Sequence, residues 1–406
     1  MRITSSDDSG RDKKVLSAFL GLNNKLDPMR GRPATQGVGA KTWQLLQQAD
    51  NVNLSDSGSA ARRDGYENFV AATNITGSFT TFDFRRMFIV DNGTLKQVNQ
   101  DGTTVDLADG LSGTCYWTEV NDSVYLSCSE KVEIKNDGDV RAWGVPVPQS
   151  GSLAEVDGRL DPGVYQVCFT HTDEDGREGG ATPSLAISIT LGGIQVDVPT
   201  LGGYYTNIYL ATKGTPFYKA GTVPYTTTRF VCNSLPQGRE LTNAFLDEPP
   251  AQAGHVAYFK GRLYAAQYVP ESDATVIWYS EALGFHLFNL NDSFFMVPGK
   301  VVQMAGSDSA LMLSTERRTF LYNQDGLDAV AEYGAIDGQH ADIGPDGKLY
   351  WWSSRGLCRA APFENLTESN VSVDPGVRAA GGVIQQHGYT RYVTVLKRGG
   401  AAFNKR

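Results

Sequence analysis

RRMFIVDNGTLKQVNQDGTTVDLA, residues 85–108, alternates short runs rich in Val, Ile, Phe, Leu and Thr with the dipeptides Asn92-Gly93 and Asp101-Gly102. Asn-Gly and Asp-Gly accept the positive φ angles of tight hairpin turns, and the flanking runs have strand composition. The stretch therefore predicts strand, turn, strand, turn, strand. SVYLSCSEKVEIKNDGDVRAWGV (123–145) repeats the pattern around Asp137-Gly138, and TCYWTEVNDSVYLSCS (114–129) turns at Asn121-Asp122. HVAYFKGRLYAAQYV (255–269), ATVIWYSEA (274–282), ALMLSTERRTFLYNQDG (310–326) and IGPDGKLYWWSSRGLCRA (343–360) carry the same texture through the second half. Helical periodicity is nearly absent after residue 50, and the helix candidates lie at Val15 to Leu20 and Thr42 to Gln48.

The middle of the chain differs. GVYQVCFTHTDEDGREGGATPSLAISITL (163–191) and YYTNIYLATKGTPFYKAGTV (204–223) have the strand density of a small two-sheet sandwich, of the fibronectin type III-like kind by pattern. The expected organisation is an extended N-terminal arm over 1–49, a first part of a β-propeller-like body over 50–149, an inserted β-sandwich over 150–234 and a second propeller part over 235–406. The fold class is all-β. At about 40–45 residues per blade the two flanking parts have room for about six blades.

The formal net charge of −9 over 406 residues argues against a surface that grips nucleic acid throughout. Residues 1–42 carry eight basic and four acidic groups, a local +4 that leaves −13 on the remainder. A basic arm on an acidic body suits a neighbouring acidic subunit, and equally a solvated terminus. No stretch reaches the roughly 18 continuous apolar residues of a membrane helix, and the N-terminus lacks the apolar run of a secretion signal. The five cysteines include no CxxC spacing. A two-residue turn at Asn121-Asp122 would set Cys115 opposite Cys128 at a non-hydrogen-bonded position, close enough to bond, with free thiols expected.

Candidate chemistry is sparse. Asp56-Ser57-Gly58 has the residues of a serine-protease loop without its flanking glycines, and His171, His255, His286, His340 and His387 sit in unrelated contexts, so the expected role is a turn. Asp173, Asp175, Gly176 and Glu178 form a D-x-D-G-x-E cluster like a fragment of a calcium loop but lack the later bidentate Glu; a solvated hairpin tip is expected. Trp278, Trp351 and Trp352 are the aromatic candidates for stacking a sugar, with one of Trp351 and Trp352 in the core and one on the surface. Neither a phosphate loop nor a dinucleotide fingerprint is present, and no enzyme activity, cofactor or metal is expected. NVNLSDSGSAARRDGY (51–66) reads as an opening hairpin.

GLNNKLDPMRG (21–31), ADNVNLSDSGSAARRDGY (49–66), HVAYFKGRLYAA (255–266), WYSEALGFHLFNLNDSFFMVPGKVVQM (278–304), LMLSTERRTFLYN (311–323) and LYWWSSRGLCRAAPFENLT (349–367) occur in that order. Together they resemble the tail nozzle or hub proteins of tailed bacteriophages, which include tail accessory and tubular proteins. The resemblance spans about three quarters of the chain and leaves the sandwich as an insert. It implies a structural virion protein, not an enzyme. The subunit would form a homo-oligomeric ring, commonly a hexamer, beneath a portal or adaptor ring. It would carry tail fibres or spikes and pass genomic DNA through its channel without sequence-specific binding. Assembly would take place in the host cytoplasm and the site of action would be the virion tail. The alternative is a glycan-binding or glycan-cleaving β-propeller of a phage adhesin. Arg30, Arg32, Arg62 and Arg63 are the interface candidates. Neighbours on a strand point to opposite faces, so one of Arg62 and Arg63 is expected to pair with an acid inside the propeller or across a subunit boundary and the other to face solvent.

Overall fold

The computed structural model describes residues 18–25, 43–54, 60–63, 65, 67–386 and 389–399. Two compact units emerge, Ala72–Leu311 and the combination of Met1–Ala71 with Met312–Arg406. The described residues are all-β, and their one helical element is the single turn Pro270–Ser272. No helix among them is long and apolar enough to cross a membrane.

In the unit Ala72–Leu311 the stretch 85–108 folds as part of an antiparallel meander. Ile75–Thr80, Met87–Asp91, Thr94–Val98 and Thr104–Ala108 pair in sequence order. Asn92 and Gly93 take φ of 50° and 82°, the left-handed values a two-residue hairpin demands, and they set Asp91 opposite Thr94. A second meander follows with Tyr116–Val120, Ser123–Ser127, Lys131–Ile134 and Val140–Ala142. Its first turn holds Asn121 and Asp122 at φ 50° and 64° and sets the register from Val120 opposite Ser123 to Tyr116 opposite Ser127. The third meander is His255–Phe259, Arg262–Val269, Ala274–Glu281 and Gly284–Phe288, with Phe294–Pro298 paired on Ala274–Glu281. Four-stranded antiparallel meanders in succession are the blades of a β-propeller.

Each blade is apolar on the faces it turns to its neighbours. Phe88, Val90 and Leu95 of the first share one core with Cys115, Val124, Leu126, Val132 and Ile134 of the second. Val120, Tyr125 and Trp143, from the second blade's other face and the residues just past it, share another core with Val256, Leu263, Ala265, Phe285 and Phe288 of the third. Between the second and third blades the chain leaves to form the inserted sandwich. One sheet orders Ser152–Asp157, Gly192–Asp197 and Arg229–Cys232. The other orders Glu178–Ala181, Gly163–Thr172, Tyr205–Thr212 and Tyr218–Pro224, with Leu185–Ile189 also on Gly163–Thr172. Tyr165, Val167, Phe169, Ile208 and Leu210 of one sheet meet Ile194, Val196 and Cys232 of the other. Period-two alternation along Gly163–Thr172 supplies that face.

The second unit holds the strands Leu311–Thr315, Thr319–Tyr322 and Leu327–Ala331 side by side. Its four-stranded meander runs Asp342–Ile343, Leu349–Ser353, Gly356–Ala360 and Glu364–Asn365. A third sheet places Gly338–Gln339 parallel to Arg378–Gln386, which pairs with Tyr389–Lys397.

The same unit corrects the two helix expectations. Ala18–Leu22 and Trp43–Leu46 are strands paired in parallel, Ala18 opposite Trp43 and Leu22 opposite Leu46. Runs of five and four residues cannot repay the cost of nucleating a helix, and a partner strand satisfies their backbone groups instead. From the end of this pair Asn24 reaches the far end of the sequence, exchanging side-chain bonds with the Ser372 carbonyl (2.8 Å) and N–H (2.7 Å).

Candidate functional site

A dense polar constellation lies within the unit Ala72–Leu311, where the insert returns to the second blade. Its centre is Glu133, whose place on Lys131–Ile134 buries it to 3% exposure. Arg141 on the adjacent strand, directly opposite in register, grips it through Nε to Oε2 (3.0 Å) and Nη2 to Oε1 (2.8 Å). From the insert, Arg177 donates Nη1 to Glu133 Oε2 (2.7 Å) and to the Trp143 carbonyl (3.0 Å), and Nη2 to the Ala142 carbonyl (3.0 Å). Arg177 is itself held by Asp173, which accepts its backbone N–H (2.8 Å) and its Nε–H (2.7 Å). Asp175 closes the ring onto Arg141 (2.5 Å) and Lys135 (3.5 Å). A carboxylate this deep is tolerable because two guanidinium forks take its lone pairs.

The charges leave their mark on nearby groups. Burial works to depress the Arg141 guanidinium, but the hydrogen bond and charge of Glu133 outweigh it and raise its pKa. Burial, aided by the charge of Glu133, pushes the Tyr125 phenol well above its ordinary value. His286 donates its Nε2–H to the Glu178 carbonyl (3.2 Å), and burial, then the Arg177 charge, depresses it to about 4.

The D-x-D-G-x-E cluster has the expected exposed hairpin tip at Glu174, Asp175 and Gly176, but the flanking Asp173 and Glu178 are largely covered. Asp173 and Asp175 turn to arginines and a lysine, and Glu178 Oε1 accepts from Tyr209 Oη (2.7 Å), Asn207 Nδ2 (2.8 Å) and Thr170 Oγ1 (2.5 Å) while Oε2 pairs with Arg239. Asp173 holds Arg177 of its own loop, which reaches Glu133 on the blade, while Asp175 reaches back to Arg141 of that blade. Gly179 and Gly180 complete the joint. A Cβ on Gly179 would meet the Val145 carbonyl at 2.6 Å, and one on Gly180 would collide with that of Leu246. Asn243 Nδ2 donates to the Gly179 carbonyl across this close approach. Among the described residues no group of three or more His, Cys, Asp or Glu side chains is placed to hold a metal ion.

The other sequence candidates fall elsewhere. Residues 52–54 and 60–62 pair as the expected opening hairpin, Val52 opposite Arg62. Arg62 and Arg63 are both exposed in this chain, and Arg63 Nε donates to Asn53 Oδ1 at 3.4 Å. A two-strand hairpin has no second layer to bury either side chain. Arg30, Arg32, Asp56-Ser57-Gly58 and His387 lie outside the described residues. His340 is buried, accepts the Trp352 N–H at Nδ1 (3.1 Å) and donates Nε2–H to the Ile336 carbonyl (2.6 Å), a neutral tautomer fixed as a core bracket, and burial lowers its pKa. His171 is buried against Thr206 Oγ1 (3.2 Å). Neither ring meets a serine and a carboxylate in the order a nucleophilic triad requires.

Trp351 and Trp352 are both buried, at 0% and 8% exposure, which corrects the division into one core and one surface ring. They do point to opposite faces, but both faces are covered: Trp351 packs on Phe363 (6.0 Å) and Trp352 Nε1 donates to the Pro375 carbonyl (3.1 Å). Trp278 packs against the core between the second and third blades and donates to the Leu290 carbonyl (3.1 Å). Trp351 and Trp352 are thus structural and present no open face to a sugar, while Trp278 is half-buried. Sequence reasoning missed Glu133, Arg141 and Arg177 as a set. Alternation on Lys131–Ile134 and the hairpin partner could have paired Glu133 with Arg141, but nothing local announces Arg177.

No protein-family model matches the chain, and no curated protein is significantly similar to it. Among solved structures, hydrazine synthase of Kuenenia stuttgartiensis is 9% identical with a TM-score of 0.32, over 73% of this chain and 80% of that one. Regucalcin, a calcium-binding protein of Agrobacterium tumefaciens, is 10% identical with a TM-score of 0.27, over 71% and 85%. A luciferin-regenerating enzyme is 10% identical with a TM-score of 0.25, over 74% and 96%. Likeness at this level assigns neither activity nor ligand to the chain.

Proposed function

We propose that this chain is a structural subunit of a bacteriophage tail, a nozzle or hub protein that assembles into a ring around the path of the ejected DNA. The observation that carries the reading is the ordered series of segments between residue 21 and residue 367, with the sandwich falling in the widest gap, between residues 66 and 255. The geometry supports a passive role. The buried ionisable groups in the insert joint are spent on one another, so Glu133, Arg141, Arg177 and Asp173 form a brace in place of an acid–base pair awaiting substrate. The insert is fastened to a blade by this brace and makes a stiff lateral platform, suited to a fibre or a neighbouring tail protein. An acidic body lining a channel would repel the phosphate backbone and let the duplex slide.

Ring closure by repeated copies is the natural assembly for such a conduit. Negative-stain images of the purified protein, alone and mixed with portal–adaptor complexes, should show closed rings, with six copies expected. Mass photometry finding monomer alone in both conditions would overturn the proposal.

A further inference from the structure

The first turn of the second blade sets up a pair of thiols. The ladder from Val120 opposite Ser123 to Tyr116 opposite Ser127 places Cys115 and Cys128 at the next facing position, just beyond both strand ends. The Cys115 N–H is spent on the Thr76 carbonyl of the first blade (3.3 Å) and the Cys128 N–H on the Glu130 carbonyl (3.0 Å), so the two residues exchange no backbone bond. Facing residues at such a site stand closest of any in an antiparallel pair, with Cα atoms about 4.5 Å apart, inside the range a disulfide spans. Both side chains enter the same core, shared with Leu111 and Leu126. Room for them is made by Gly77, where a Cβ would meet the Cys115 Cβ at 2.7 Å. Both are free thiols.

We infer that Cys115 and Cys128 are a reversible dithiol–disulfide site, closed by a low-molecular-weight disulfide such as oxidised glutathione. Cys128 reacts first: it lies beside the exposed Ser129 and Glu130, whereas Cys115 is fully buried. The hydrogen bond from the Cys115 thiol, ahead of the other contributions, depresses Cys128 to about 6 and raises Cys115. The Cys128 thiolate attacks one sulfur of oxidised glutathione, forming a mixed disulfide and releasing glutathione thiolate. Cys115 then gives its proton to that thiolate and attacks Cys128 Sγ, displacing the second glutathione as a thiolate that takes from solvent the proton Cys128 had released. Two protein thiols are oxidised and one glutathione disulfide is reduced to two thiols. The remaining cysteines lack this arrangement: burial alone lifts Cys168 and Cys232 to about 12, and burial foremost lifts Cys358 to about 11.

The test uses the intact chain. No lysine or arginine lies between Lys96 and Lys131, so trypsin delivers both cysteines in one peptide, 97–131. After native incubation in excess oxidised glutathione, then denaturation and alkylation, this peptide should be lighter by two hydrogens and carry no alkyl group. Dithiothreitol before alkylation should restore two alkylation sites, and the peptides holding Cys168, Cys232 and Cys358 should be alkylated throughout. Cys115→Ala should stop at glutathione on Cys128, and Cys128→Ala should leave Cys115 unmodified, with circular dichroism confirming that each variant is folded. A wild-type peptide 97–131 that stays doubly alkylated, or that ends as a stable mixed disulfide, would overturn the inference without recourse to the variants.

Discussion

Replacing Arg177 by alanine removes one of the two guanidinium groups that hold Glu133 among the described residues, together with the 2.7 Å side-chain bond to Asp173. Stripping a fully buried ion of its partner costs roughly 3–5 kcal/mol. Here Arg141 stays on Glu133 with bonds of 2.8 and 3.0 Å, so the carboxylate is not left alone, and the expected cost falls to about 2–3 kcal/mol. Glu133→Gln removes the charge from the other side and leaves two guanidinium groups, 15% and 23% exposed, beside Asp173 and Asp175. Its expected cost is about 2 kcal/mol. Because both changes break the same bond, the double variant should cost less than the sum by roughly 1–2 kcal/mol. Urea unfolding read by tryptophan fluorescence gives all three values. In thermal unfolding each kcal/mol should appear as a fall of roughly 2–4 °C for a unit of this size. Single costs under about 0.5 kcal/mol that simply add would refute the reasoning, since that is how solvated surface pairs behave.

Two further outcomes follow from the same joint. Replacing residues 150–234 by a short Gly/Ser linker should destabilise what remains, because Glu133 and the backbone near Val145 and Leu246 lose their cover, and adding Glu133→Gln should recover part of the loss; a deletion variant as stable to urea as the full chain would show that the joint contributes nothing. His286, depressed by burial to about 4 in the fold, titrates near 6.5 when unfolded, so between those values the unfolded chain takes up a proton that the native one refuses. Stability should fall on acidification through that window by up to about 1.4 kcal/mol per pH unit, and His286→Asn should flatten the dependence in denaturant titrations at pH 7, 6 and 5.

Much of the fold is legible because it is local. Asn92-Gly93, Asn121-Asp122 and Asp137-Gly138 fix both the corner and the register, and the pairing of Tyr116 with Ser127 follows from counting outward from the turn. What escapes is whatever depends on a second layer. Trp351 and Trp352 alternate as a strand must, but alternation cannot say whether the outer face is covered. Ala18–Leu22 and Trp43–Leu46 are strands only because each has the other. Arg177 meets Glu133 across 44 residues, and Gly179-Gly180, which reads as turn chemistry, is in fact a place where two backbones touch. For the same reason the candidate site was the least legible part: Asp173, Asp175 and Arg177 are visible as a loop motif, but Glu133 and Arg141, which complete the site, sit on the second blade.

The sharing of cores between successive blades has a consequence for synthesis. Trp143 is fully buried, and its indole N–H donates to the Phe285 carbonyl at 2.7 Å, across 142 residues. Everything that covers this ring on the third blade emerges from the ribosome only after the whole sandwich has been made. At about 5–20 residues per second the second blade therefore waits on the order of ten seconds with an aromatic face uncovered. During that interval the insert, with its own core between two sheets, can fold, and Arg177 can reach Glu133 before the third blade exists. The brace would then hold the nascent blade beside a finished domain, shielding it from neighbouring chains while its permanent partner is still being translated.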